Sequence, residues 1–130
     1  MTLPVKDHTA ITDLISRHGH LVDGGGLHQL HELFTTDAVF DLGDFGAGVV
    51  EGLAALYRLS EELDGQHPVG HHVTNVVLSQ QADDRVYARS KGIGINADGT
   101  CASVTYEDTV RRGEHGWRIS HRRVIAHRRT

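Results

Sequence analysis

The hydrophobic period of this chain changes once, near residue 70, and that change limits the folds open to it. Before it, apolar residues recur at helical spacing; after it, they alternate. Ala10, Ile11, Leu14, Ile15, His18, Leu21 and Val22 form a stripe of period 3.6, which predicts a first helix. Asp7 is its expected N-cap. Gly24-Gly25-Gly26 is its expected end, because three glycines favour non-helical backbone. Asp23 then falls in the last turn, where the negative end of the helix dipole makes an anion unwelcome. A second short helix is expected over Leu27 to Phe34, and a short strand over Ala38 to Leu42. The glycine-rich stretch 43–48 reads as a loop, and Val49-Val50 as the start of another short strand. Gly52 precedes a third helix, Leu53 to Leu63, and Asp64 to Gly70 is a loop.

From His71 onward the pattern is β. His71 to Leu78 is rich in β-branched residues. After a turn at Asp83-Asp84, Arg85 to Asn96 and Thr100 to Arg112 form a long hairpin closed by Asn96-Ala97-Asp98-Gly99. Trp117 to Ala126 is a final strand. Helices first and antiparallel strands last indicate an α+β fold rather than a doubly wound one. The expected architecture is three N-terminal helices packed on one face of a curved, mainly antiparallel sheet, with a conical cavity between. At 130 residues the chain is sized for a single domain, 1–130.

Charge removes several function classes. A formal charge of −4 argues against nucleic-acid or membrane-surface partners, which call for a basic protein. Seven of the 13 basic residues, from Arg111 to Arg129, lie in the last 20 positions, while 11 of the 17 acids lie in the first 64. With no interleaved aromatics to stack bases, that tail reads as a solvated strand edge meeting acidic helices. A single cysteine, Cys101, leaves no disulfide framework. No apolar run reaches the roughly 20 residues of a membrane span, and the N-terminus has no signal-like apolar segment. A cytoplasmic protein is the default expectation.

Eleven histidines stand out, since imidazole serves both proton transfer and metal ligation. The groups His18-x-His20, His28-x-x-His31 and His67-x-x-x-His71-His72 lack a convergent carboxylate or thiolate signature, so no metal is expected. Asp23 and His71 are the sharper pair. One ends the first helix and the other opens the first long strand, so both can reach the cavity from opposite walls. A carboxylate bonded to one imidazole nitrogen fixes the tautomer and leaves the other as a general base. His71 and His72 point to opposite faces of their strand, and alternation alone does not decide which faces inward. In the last strand it groups Trp117, Ile119, His121, Arg123 and Ile125 on one face, and Arg118, Ser120, Arg122, Val124 and Ala126 on the other. An inward arginine would suit an oxyanion or a departing anion.

Several stretches together resemble the SnoaL-like branch of the NTF2-like superfamily. They are Ile11-x-x-Leu14-Ile15-x-x-His18-x-x-Leu21-x-Asp23, Leu33-Phe34-Thr35-x-Asp37-Ala38, Gly52, His71-His72-Val73-Thr74-Asn75 and Gly116-Trp117-Arg118-Ile119-x-x-Arg122. The likeness runs over about residues 7 to 126 and is nearest to the scytalone dehydratase and hexachlorocyclohexane dehydrochlorinase-like branch. It implies a cone-shaped, cystatin-like α+β barrel around a deep apolar pocket, and cofactor-free lyases with an Asp–His dyad. By motif, the resemblance makes Asp23 and His71 the dyad and adds Arg122 and His18 to the catalytic set, as support for the departing hydroxyl or the developing enolate. His18 stands where a dehydrochlorinase has a lysine, which argues against halide elimination. Phe40, Tyr57, Asn75 and Tyr106 are the expected substrate-binding residues.

The expected function is therefore a dehydratase-type lyase acting on a small, largely apolar hydroxylated or polyketide-like molecule. The alternatives are an isomerase, a cyclase, or a non-catalytic ligand-binding or assembly module of the same superfamily. The resemblance favours a homo-oligomer, dimer or trimer, through the outer sheet face, and an exposed Trp117 or Ile119 face would fit that.

Overall fold

Pro4 opens the first helix. Its fixed φ of −57° suits helix entry, and its carbonyl accepts the N–H of Asp7 at 3.0 Å and of His8 at 2.9 Å. In this computed structural model, which describes residues 2–63 and 66–128, helix α1 runs Val5–Asp23. Asp7 is thus not the cap expected from the sequence. It lies in the first turn, buried, and accepts the indole N–H of Trp117 at 3.1 Å, with Arg112 at 3.5 Å. Only a contact 110 residues along the chain reveals that use. The glycines end α1 as expected. Gly25 takes the left-handed conformation, φ +77°, and the Gly26 N–H closes onto the Leu21 carbonyl at 2.8 Å.

The expected second helix is shorter and tighter: Leu27–Glu32 is a 3-10 segment. Seven residues between the triple glycine and a strand are too few for a stable α-helical nucleus. Strand β1, Phe34–Leu42, consequently begins four residues earlier than expected. A 3-10 turn, Gly43–Phe45, leads into β2, Gly48–Glu51, and helix α2 spans Leu53–Glu62. The sheet continues with β3 (Gly70–Ala82), β4 (Arg85–Ile95), β5 (Cys101–Gly113) and β6 (Gly116–His127). Two α-helices therefore serve where three were expected. Asp64 of the expected loop and Arg129 of the basic tail lie outside the described residues.

The six strands form one mixed sheet in the order β2-β1-β6-β5-β4-β3, antiparallel everywhere except between β1 and β6. Its concave face meets α1, whose Ile11, Leu14 and Ile15 pack with Leu30, Leu33, Phe34, Ala38, Phe40, Leu53, Val86, Ala88, Val110, Trp117 and Ile119. Trp117 and Ile119 are inside the core, 5% and 0% exposed, so they cannot form the outer face expected to join subunits.

Two bulges break the alternation read from the sequence. In β3, Thr74 pairs with Lys91 and Val77 with Arg89, so β3 carries one residue more than β4 over that interval. Asn75 sits there with φ +57°, a left-handed conformation that asparagine tolerates. In β6, Ile119 pairs with Val110 and His121 with Thr109, which leaves Ser120 as the extra residue. Beyond Ser120 the inward set changes phase, and Arg122 becomes buried on the same side as Trp117 and Ile119. Strict alternation had put them on opposite faces.

Candidate active site

Asp23 ends α1 because the glycines stop the helix one residue later, and His71 is the second residue of β3. The structure brings them together. The Asp23 carboxylate grips His71 with both oxygens: Oδ1 lies 2.6 Å from the ring Nδ1, and Oδ2 accepts the His71 backbone N–H at 2.9 Å. A carboxylate only accepts, so Nδ1 carries a proton, and in the neutral ring the lone pair is then on Nε2. The pair is partly shielded, with side chains 20% exposed for His71 and 27% for Asp23. The two His71 donors offset the unfavourable meeting of Asp23 with the helix C-terminus.

His71 borders a narrow cavity with Ile15, His18, Gly19, Val73, Tyr106 and Arg122. His18 lies one turn before Asp23 on α1, its ring edge-on to Phe34 at 5.7 Å between centroids. Burial, and then the nearby charges of Arg122 and His71, hold its pKa well below the imidazole's usual 6.5. His18 is therefore neutral at physiological pH. Tyr106, on β5, makes no side-chain hydrogen bond to the described residues. Burial raises its phenol pKa, against an opposing effect of Arg122, so it remains a hydroxyl donor.

Arg122 is 3% exposed, and its Nε and Nη2 donate to the two oxygens of Asp108 at 2.7 and 2.8 Å. Burial works against its charge, but the Asp108 carboxylate outweighs that and holds the guanidinium above its ordinary pKa. The guanidinium lies 4.3 Å from the Tyr106 ring centroid and 5.6 Å from that of Phe34. Nη1 is the nitrogen not engaged by Asp108. Asp108 was not singled out in the sequence. Its signal is faint but readable: Tyr106, Asp108 and Val110 share one face of a strand, and an acid in such a row needs a partner.

Other expected residues lie elsewhere. Phe40 is a core residue, 3% exposed and 5.0 Å from Phe34 between ring centroids. Tyr57, on α2, packs against the core and not on the cavity. Asn75 is carried outward by its bulge, to a hollow on the outer face with Val77, Arg89 and Glu107. His72 borders the cavity, but its side chain is exposed on the opposite face from that of His71.

Among the described residues, no deep apolar pocket of the kind implied by the resemblance adjoins His71. The space beside His71 is about 10 Å³, room for roughly one water. The rings of His18 and Tyr106 and the side chain of Arg122 fill the interior instead. A far larger hollow, about 1080 Å³, opens on the outer face between His31, Asp37, Arg111, Arg118 and His121. Among the described residues no group of three or more His, Cys, Asp or Glu is placed to hold a metal ion. No helix among them is long and apolar enough to cross a membrane.

His18 gives stability a pH dependence of definite sign. Its folded pKa lies below 6.5, so the unfolded chain takes up a proton first as pH falls. Stability is retained above about pH 6.5 and declines below it, by at most about 1.4 kcal/mol per pH unit for one proton. Urea unfolding at pH 7 and pH 5 should show the decline, and His18→Gln should flatten it. An identical slope in the variant would reject the assignment.

The sequence matches the SnoaL-like domain family over residues 4–123. The chain belongs to that family. Comparison with curated proteins gives no match. Among solved structures, a candidate aromatic ring hydroxylase from Novosphingobium aromaticivorans is 26% identical, covering 98% of this chain and 94% of its own, with a TM-score of 0.78. A candidate scytalone dehydratase from the same organism is 19% identical over 95% of this chain and 86% of its own, TM-score 0.78. A hexachlorocyclohexane dehydrochlorinase, LinA type 2, is 20% identical over 97% and 88%, TM-score 0.79. Further neighbours are described as having a cystatin-like fold, which fits the α+β architecture seen here.

Proposed function

We propose that the protein is a cofactor-independent lyase of the dehydratase type, with His71 as general base and Asp23 as its orienting partner. The observation that carries this reading is the two-oxygen grip of Asp23 on His71 at the edge of a cavity bordered by Tyr106, Arg122 and His18. The elimination chemistry named for two structural neighbours supports it. The substrate class that suits these groups is a small, largely apolar β-hydroxy carbonyl compound, a polyketide-like molecule included.

In this reading Nε2 of His71 takes the proton from the carbon next to the carbonyl, and the C–H electron pair forms an enolate. Asp23 balances the charge that the ring gains. The enolate oxygen is met by the Tyr106 hydroxyl and by Nη1 of Arg122. Both are donors fixed before the reaction begins. The enolate then expels the β-hydroxyl, which leaves as water with the proton returned by His71, while the neutral His18 ring hydrogen-bonds the departing oxygen. Halting after proton transfer would give an isomerase, and carbon–carbon closure a cyclase. The small cavity favours one further reading, a non-catalytic assembly module with a filled interior, because ligand pockets are normally of about 300–1,000 Å³.

The test is a panel of β-hydroxy ketones and esters in deuterated water, followed by NMR. Exchange at the α-carbon, or loss of water, is expected with the native protein and not with His71→Ala. Neither exchange nor elimination with any member of the panel would favour the assembly module.

A further inference from the structure

Helix α1 and strand β3 meet at Gly19. A methyl group built there would sit 2.5 Å from the carbonyl oxygen of His71 and 3.4 Å from its Cβ. Gly19 is one turn before Asp23, so both lie on the helix face that leans on β3. The absence of a side chain at 19 thus lets the helix approach closely at the residue that Asp23 grips.

We propose that Gly19 is a positioning residue for the Asp23–His71 pair. A carbon and a carbonyl oxygen normally rest about 3.3–3.6 Å apart, so a side chain at 19 must part helix and strand locally by about 1 Å. The ring bond from His71 to Asp23 is 2.6 Å long. Lengthened by that amount it would pass about 3.2 Å, the outer limit of an N–H···O bond. The second bond, from the His71 backbone N–H, starts at 2.9 Å and would fail sooner. Nothing else spans this contact to hold the ring, since His71 makes no other side-chain hydrogen bond to the described residues.

The catalytic meaning of this inference rests on the dyad reading above, but its structural content does not. The readout is therefore the downfield proton resonance of the His71 Nδ1–H in the native protein, with Gly19→Ala and Gly19→Val as a graded pair and Asp23→Asn as the reference for a broken bond. The signal should shift upfield in Gly19→Ala and vanish in Gly19→Val, while the unfolding midpoint shows both variants folded. Turnover should drop by about 10²-fold in the valine variant, in kcat rather than KM, as for a misplacement near 1 Å. If both variants keep the native resonance, the inference is overturned, whatever their activity. If the resonance is lost while His71→Ala retains full turnover, Gly19 stands as a positioning residue and the dyad reading fails.

Discussion

Replacing Asp23 with Asn should lower turnover by about 10²–10⁴-fold, the range of a general base that has lost its orientation, without unfolding the protein. The reason lies in the two bonds that Asp23 accepts. An amide has one accepting oxygen and one donating nitrogen, whereas His71 presents two N–H groups to it. Either one donor faces the amide NH₂, or the ring changes tautomer so that Nδ1 accepts. In the second case the proton moves to Nε2, which then cannot take one from substrate. His71→Ala removes the base altogether and should fall to the background rate. Stability should change little, because the pair is partly solvated and bonds of this kind contribute about 1 kcal/mol net. Steady-state kinetics with the substrate found in the exchange panel makes the measurement. Native turnover in Asp23→Asn would sink the proposed role.

Asp108→Ala should cost about 3–5 kcal/mol in urea unfolding, the largest stability loss expected from a single substitution near the site. Asp108 is 1% exposed and holds Arg122 through two bonds of 2.7 and 2.8 Å. Removing the carboxylate leaves a guanidinium in the core with aromatic faces as its chief remaining neighbours. A domain of this size has roughly 5–15 kcal/mol in total, so the variant would be near the limit of folding. The double variant Asp108→Ala with Arg122→Met removes both charges and should recover much of the loss. A double variant no more stable than the single one would show that packing around Asp108, rather than its charge, dominates.

The order of elements was legible because each rests on a local pattern. The stripe of α1, its glycine stop and the alternation of β4 and β5 need no knowledge of the rest of the molecule. Asp23 and His71 were legible for a related reason, since each sits at the end of a well-marked element. What could not be read depends on register. Which way Arg122 points is decided by the extra residue at Ser120, and that residue is defined only by pairing with β5. Asn75 was lost to the site by the corresponding bulge in β3. Asp7 looked like a cap until Trp117 arrived from the far end of the chain. The filled cavity was hidden for another reason: ring packing of His18, Tyr106 and Phe34 follows from volume, which sequence spacing does not encode.

The bulges divide two of the strands that bear chemistry, β3 and β6, into segments of different phase. In β6 the segment before Ser120 supplies Trp117 and Ile119 to the core, and the segment after it supplies Arg122 to the cavity. A bulge thus works as a reading-frame marker within a strand. Deleting Ser120 would straighten the strand and leave Arg122 opposite Asp108, on the same face as Trp117 and Ile119, because plain alternation from Ile119 through His121 then places it there. The segment after Ser120 keeps its register on β5 whether or not the extra residue is present, so the length of β6 can vary at this point while the wall of the cavity stays the same.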